Sequence, residues 1–142
     1  DILKFTIKKL ETLKKYDLIV CLEETYPFRN KNLIDSMINK LIKEDLDSVF
    51  AGKVEQKSIW IKNSKETKIV TEGFMPRDLK EEKAIISLFG LCFVTYPEII
   101  KTGDLFSGRT GIFQIGDSIS HIEIRDQSTL KIYEDLLIKH EE

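Results

Sequence analysis

The sequence predicts an α/β domain with a mostly parallel sheet and a β-hairpin extension. Amphipathic helical stretches alternate with short β-branched apolar runs, the connections between them are brief, and one central stretch switches to a two-residue period. At the start of the chain, Leu3, Thr6, Ile7, Leu10 and Leu13 recur at three- and four-residue spacing among lysines, the stripe of an amphipathic helix. Residues 17–22 are an apolar run of the kind found in buried parallel strands, and Pro27 lies in the loop that follows. A second helix is expected over residues 32–44, with Leu33, Ile34, Met37, Ile38, Leu41 and Ile42 as its apolar face. A second strand is expected over 47–52. Helix, strand, loop, helix and strand in this order predict a right-handed parallel crossover.

Beyond Gly52 the segments 58–61 and 67–71 alternate apolar and polar residues around Asn63-Ser64-Lys65-Glu66, which reads as a half-exposed hairpin. A charged loop over 73–83 leads into the apolar run 85–94, which is expected to become a strand near 90–96. Pro97 suits the first turn of a short helix that Gly103 ends. Residues 111–115 and 119–124 read as two more strands. A last helix is expected over 126–139, with Leu130, Tyr133, Leu136 and Leu137 on one side and Asp126 or Ser128 as its cap. No internal repeat or linker interrupts the pattern, so residues 1–142 read as one domain with a hairpin extension at about 53–84.

Charged residues make up 32% of the 142, yet they leave a net charge of only -2. The chain therefore has no broad field to attract nucleic acid or an anionic membrane, and an anionic ligand must be held by a local cluster. Cys21 and Cys92 each lie inside an apolar run and are expected to be reduced core thiols. No apolar run approaches the ~20 residues of a membrane span, and no signal-peptide pattern precedes the first element, so a cytoplasmic protein is expected. His121 and His140 have no partner at metal-ligand spacing, which argues against a zinc site.

The functional residues are sought where the first strand ends. In open α/β sheets ligands bind outside the carboxyl ends of strands, and here Glu23, Thr25 and Arg29 follow such an end directly. The stretch Leu22-Glu23-Glu24-Thr25-Tyr26-Pro27-Phe28-Arg29 resembles the LQPTSPLR motif of the N-acylneuraminate cytidylyltransferases, the CMP-sialic acid synthetases. Further blocks match that family in order: Asn32-Leu33-Ile34-Asp35, Asp47-Ser48-Val49, residues 95–101 with Gly103-Asp104-Leu105, and Ile122-Glu123-Ile124-Arg125-Asp126 before the final helix.

The resemblance implies a Rossmann-like, three-layer nucleotidyltransferase fold. It implies transfer of CMP from CTP to a sialic-acid-like nonulosonic acid, with release of pyrophosphate, Mg²⁺ as cofactor and a homodimer as the working unit. Charge grows on the phosphoryl oxygens and the leaving pyrophosphate, so such a site needs cations placed where that charge develops. Arg29 then contacts a phosphate or the sugar carboxylate, or else ties down its own loop. Glu23 and Thr25 line the sugar pocket, although Glu23 is also simply the first polar residue after a strand. Arg77 and Lys80 fall in the charged loop that in the family helps to form the dimer and reaches toward the partner's site; a solvated loop accounts for them equally. Trp60 and Phe74 suit a dimer contact or packing on the sheet.

The chain also departs from the family. No glycine precedes Asp17, so the glycine-containing loop that cradles the triphosphate is missing, the fold is expected to be incomplete at its N-terminus, and this chain alone is expected to be inactive. Glu23 replaces a glutamine and would repel a substrate carboxylate. The two metal-binding aspartates align with Glu123 and Arg125. Arginine cannot bind Mg²⁺, which leaves Glu123 and, shifted by one residue, Asp126 as the metal ligands. Two alternatives stay open: an inactive remnant serving as a binding or assembly module, and another sugar nucleotidyltransferase of the same fold.

Overall fold

The structure is a computed structural model that describes residues 2–71 and 84–140, with side chains through residue 138. Helix α1 (Ile2–Glu11) precedes strand β1 (Ile19–Cys21), helix α2 (Leu33–Lys43) and strand β2 (Ser48–Glu55). The hairpin strands β3 (Trp60–Lys62) and β4 (Thr67–Ile69) come next. They are followed by β5 (Ala84–Ser87), β6 (Phe93–Thr95), the short helix α3 (Pro97–Thr102), β7 (Thr110–Gln114), a 3₁₀ turn at Ile119–His121 and helix α4 (Gln127–His140).

Strand β2 is the centre of the five-stranded sheet. Strand β7 pairs with it in parallel along Ser48–Gly52, so β6, which pairs antiparallel with Ser48–Phe50, must lie on its other edge. Strand β5 continues along that second edge, antiparallel to Gly52–Glu55, and β1 pairs antiparallel with the far side of β6. β1, β2 and β7 thus run the same way. The expected crossover from β1 through α2 to β2 forms, but β6 is inserted between its two strands and makes the sheet mixed. The hairpin forms as expected, Trp60 facing Ile69 and Lys62 facing Thr67, as a separate two-stranded sheet.

Alternation along the strands gives each sheet face its own core. Val49, Ala51, Val94 and Cys92 pack with Met37 and Leu41 of α2, all of them buried. On the opposite face Phe50 and Phe93 stack with ring centroids 4.4 Å apart, and Phe106 stacks on Phe50 at 4.8 Å. Both cysteines are free, and burial pushes the Cys92 thiol up to about 11, as expected of a core thiol.

Helix ends follow local chemistry. The Leu46 and Asp45 N–H groups bond back to the Leu41 and Ile42 carbonyls at 2.9 and 3.3 Å, with Asp45 taking the left-handed position (φ 52°) that glycine usually fills. Gly103 (φ 86°) ends α3 and Pro97 opens it, as the sequence predicts. At α4 Asp126 is the cap: its Oδ1 accepts the Thr129 N–H at 2.8 Å, while Thr129 Oγ1 accepts the Arg125 and Asp126 N–H groups at 3.0 and 3.1 Å.

Two expected elements differ. The run 85–94 is broken by a turn, because Leu88 N–H bonds to the Ala51 carbonyl and Ala51 N–H to the Cys92 carbonyl, which leaves residues 89–91 to loop between these contacts. Residues 119–124 form no strand; a 3₁₀ turn occupies 119–121, since Asp117 Oδ1 caps the Ser120 N–H at 2.7 Å and bends the chain.

Candidate active site

At the carboxyl end of β1 the chain leaves the sheet at Leu22 and turns over the loop between β5 and β6. The Glu23 N–H bonds to the Gly90 carbonyl at 2.8 Å. Arg29 reaches back to the same place: Nε donates to the Leu91 carbonyl at 2.9 Å, and Nη2 donates to the Gly90 carbonyl at 3.2 Å and to the Glu23 carbonyl. One guanidinium therefore fastens two segments of chain through three carbonyls, using the planar fork of donors that only arginine has. Of the two roles open to Arg29, this geometry displays the tying of its loop.

The second half of the site comes from the segment before α4. Ile124 N–H bonds to the Thr25 carbonyl at 2.8 Å, which brings Glu123 and Arg125 against the loop after β1. The hydroxyl of buried Tyr26 donates to Glu123 Oε2 at 3.1 Å, and Arg125 Nη2 pairs with the same oxygen at 2.6 Å. Burial, followed by the hydrogen bond to Glu123 and its negative charge, pushes the Tyr26 hydroxyl up to about 12; Arg125 opposes and Glu23 adds to the shift. The Arg125 side chain is 74% exposed, so a cation stands at the mouth of this cluster with its base held from below.

Glu23 and Thr25 lie where the sequence places them, at the strand end. Glu23 is exposed and Thr25 Oγ1 lies 3.5 Å from its carboxylate, so both point polar atoms toward solvent. Gly90 makes room for them: a Cβ there would sit 2.5 Å from Glu23 Oε2 and 2.9 Å from the Tyr26 ring. Arg77, Lys80 and Phe74 lie outside the described residues. Beside the loop, a cleft of about 390 Å³ runs between Pro27–Asn30 and Asp117–Ser120. Asn30 Nδ2 donates to Asp117 Oδ2 at 2.9 Å across it. Burial pushes the Asp117 carboxyl up, but hydrogen bonds from Ser120 and Asn30 outweigh it and hold the group below its usual value.

The metal expectation meets a different donor set. Glu123 is engaged by Tyr26 and Arg125, and Asp126 spends its Oδ1 on the Ser128 hydroxyl and on Thr129. Among the described residues no group of three or more histidine, cysteine, aspartate or glutamate side chains could hold a metal ion. Both expected ligands are thus engaged within the protein, and the Arg125 guanidinium sits on Glu123.

Tyr26 and Gly90 escaped the sequence reading. Tyr26 sat inside the motif as an apparent spacer, and only its pairing with a residue 97 positions away reveals it. Gly90 did carry a signal, since a lone glycine in an apolar run marks a close approach.

The strands and helices together define an α/β protein built on a mixed sheet, with a crevice at the carboxyl end of β1. Its structure is similar to 4-diphosphocytidyl-2C-methyl-D-erythritol synthase from Anaerococcus prevotii, with a TM-score of 0.64 and 16% identity over 93% of this chain and 64% of that one. It is also similar to 2-C-methyl-D-erythritol 4-phosphate cytidylyltransferase from Thermus thermophilus, with a TM-score of 0.59 and 8% identity over 94% of this chain and 68% of that one. The chain thus spans under two thirds of the length of the first. No protein-family model and no curated protein matches the sequence. Both neighbours carry the fold that the sequence motifs imply; neither is a sialic acid synthetase by name. Among the described residues, no helix is long and apolar enough to cross a membrane.

Proposed function

We propose that this chain is the acceptor-binding part of a cytidylyltransferase that joins CMP from CTP to an anionic, hydroxyl-rich acceptor and releases pyrophosphate. One observation carries the reading: Glu23 and Thr25 on one side and the Arg125–Glu123 pair on the other meet at the carboxyl end of β1. A carboxylate and a hydroxyl suit the hydroxyls of a polyol, and an exposed guanidinium suits its phosphate or carboxylate. The shared fold with two enzymes named for cytidylyl transfer supports CTP as the donor. Both nonulosonic acids and 2-C-methyl-D-erythritol 4-phosphate belong to this acceptor class.

In the reaction an acceptor oxygen attacks the α-phosphorus of CTP as the bond to pyrophosphate breaks, and the proton of the attacking hydroxyl passes to solvent or a nearby base. The chain's own contribution is position. Arg29 holds the loop after β1, Tyr26 and Glu123 hold Arg125, and Glu23 with Thr25 orients the acceptor. A homodimer through the hairpin is part of the same proposal: a lone two-stranded hairpin is marginal in water, and Trp60, Ile61 and Val70 are all more than half exposed on it.

The test is pyrophosphate release by the full-length protein from CTP, with Mg²⁺, over a panel of sugar acids and polyol phosphates. Turnover with one acceptor class supports the proposal, and silence from a folded protein across the panel contradicts it. A second reading, a binding module without catalysis, draws on Arg29 and Arg125 both being engaged within the protein. Calorimetry separates the two, since a module of that kind binds the acceptor without binding CTP.

A further inference from the structure

At the other side of the sheet, β7 has β2 along one edge only. The Ile115 N–H bonds to the Gly52 carbonyl and the Arg109 carbonyl accepts from Asp47, so odd-numbered residues of this strand turn their backbone groups toward β2. By alternation Thr110, Ile112 and Gln114 turn theirs outward. Among the described residues, no strand meets them. Such an edge is a template for another strand.

The edge is not bare. Helix α2 lies over it, and a groove of about 580 Å³ runs between Ile112–Gln114 and the stripe Ser36, Asn39, Lys40 and Lys43. Those helix positions follow three- and four-residue steps, so they form one line beside the strand edge. Gly111 allows the close approach, because a Cβ there would collide with the Leu46 side chain. Lys40 is neutralised by Glu44 at 2.7 Å. Lys43 has no ion pair among the described residues, and it leaves the groove with one uncompensated positive charge.

We propose that this groove docks an extended, acidic segment of a partner protein, which adds to β7 as a further strand. The outward N–H and C=O groups supply backbone pairing, Phe113 offers an apolar neighbour, and Lys43 selects a carboxylate on the incoming strand. Charge favours this occupant over a second copy, because β7 (Thr110–Gln114) carries no carboxylate of its own to meet Lys43.

The probe is a fluorescent peptide, Thr-Val-Glu-Val-Glu-Val-Thr, titrated into the full-length protein beside its lysine-for-glutamate counterpart. Saturable binding of the acidic peptide alone is expected, with slowed amide exchange at Ile112 and Gln114. Gln114→Pro removes an outward N–H while sparing the ladder to β2, and should weaken binding about tenfold, as loss of a central ladder bond would. Lys43→Glu, a surface change that leaves the backbone intact, should reverse the preference between the two peptides. Equal binding of both peptides, no binding, or no effect of Lys43→Glu overturns the proposal. Self-association that Gln114→Pro abolishes overturns it in favour of a second copy.

Discussion

The buried hydroxyl of Tyr26 donates to Glu123 at 3.1 Å, tying the loop after β1 to the segment that launches α4. Because Glu123 also receives Arg125 at 2.6 Å, it is the middle of a three-residue chain running from core to solvent. Replacing Tyr26 by Phe keeps the ring and deletes the bond, and should lower stability by about 1–2 kcal/mol in a denaturant titration. The hydroxyl is an acid raised from 10.0 to about 12. Its contribution is therefore complete below about pH 10 and lost as pH rises through about 12. A tyrosinate absorbance titration of the protein minus that of Tyr26→Phe should show one phenol ionising in that upper range.

Arg29 separates a structural from a charge role. Arg29→Lys keeps the charge but cannot span the Glu23, Gly90 and Leu91 carbonyls, and should cost about 1–3 kcal/mol of stability. If Arg29 acts by holding its loop, acceptor KM rises with the loosened loop. Full stability with lost turnover would instead make it a phosphate contact.

Gly90 should not tolerate a side chain. Glu23 can swing aside, being exposed, but the Tyr26 ring, 2.9 Å from the added Cβ, is buried and fixed. Gly90→Ala should therefore cost about 1–3 kcal/mol, the range for overpacking a well-filled site. Combining it with Glu23→Ala should recover only a small part of that loss.

The sequence made the helices and their stops legible, because periodicity and capping chemistry are local: α2, the Pro97 opening of α3, its Gly103 stop and the Asp126 cap of α4 all follow from neighbours in the chain. The position of Glu23, Glu24 and Thr25 just past the end of β1 was legible too. The insertion of β6 between β1 and β2 was not, since strand order depends on contacts between residues about 45 and 75 positions apart that leave no local mark. The same limit hid Tyr26–Glu123. The 119–124 run deceived because it is rich in isoleucine and Ile122 and Ile124 match a strand period, while the Asp117 cap on Ser120 bends the backbone first.

Asp126 illustrates how a cap and a metal ligand compete for one carboxylate. Hydrogen bonds from the Ser128 hydroxyl and from Thr129 hold it down at about 2, below the usual 3.8. A depressed acid stabilises the fold above its unfolded value, and that contribution disappears as pH falls from about 4 through about 2. Asp126→Asn should keep α4 capped and remove this acid transition, whereas Asp126→Ala should fray the first turn at every pH; circular dichroism across the range checks both.

The most direct test of the account is pyrophosphate release by the full-length protein with CTP, UTP and GTP in parallel, each with and without an anionic polyol acceptor. Release should require both CTP and acceptor, and should fall when Arg125 is replaced by Ala while the fold is retained. Release with another nucleotide in preference to CTP, or none from a folded protein under any pairing, would contradict it.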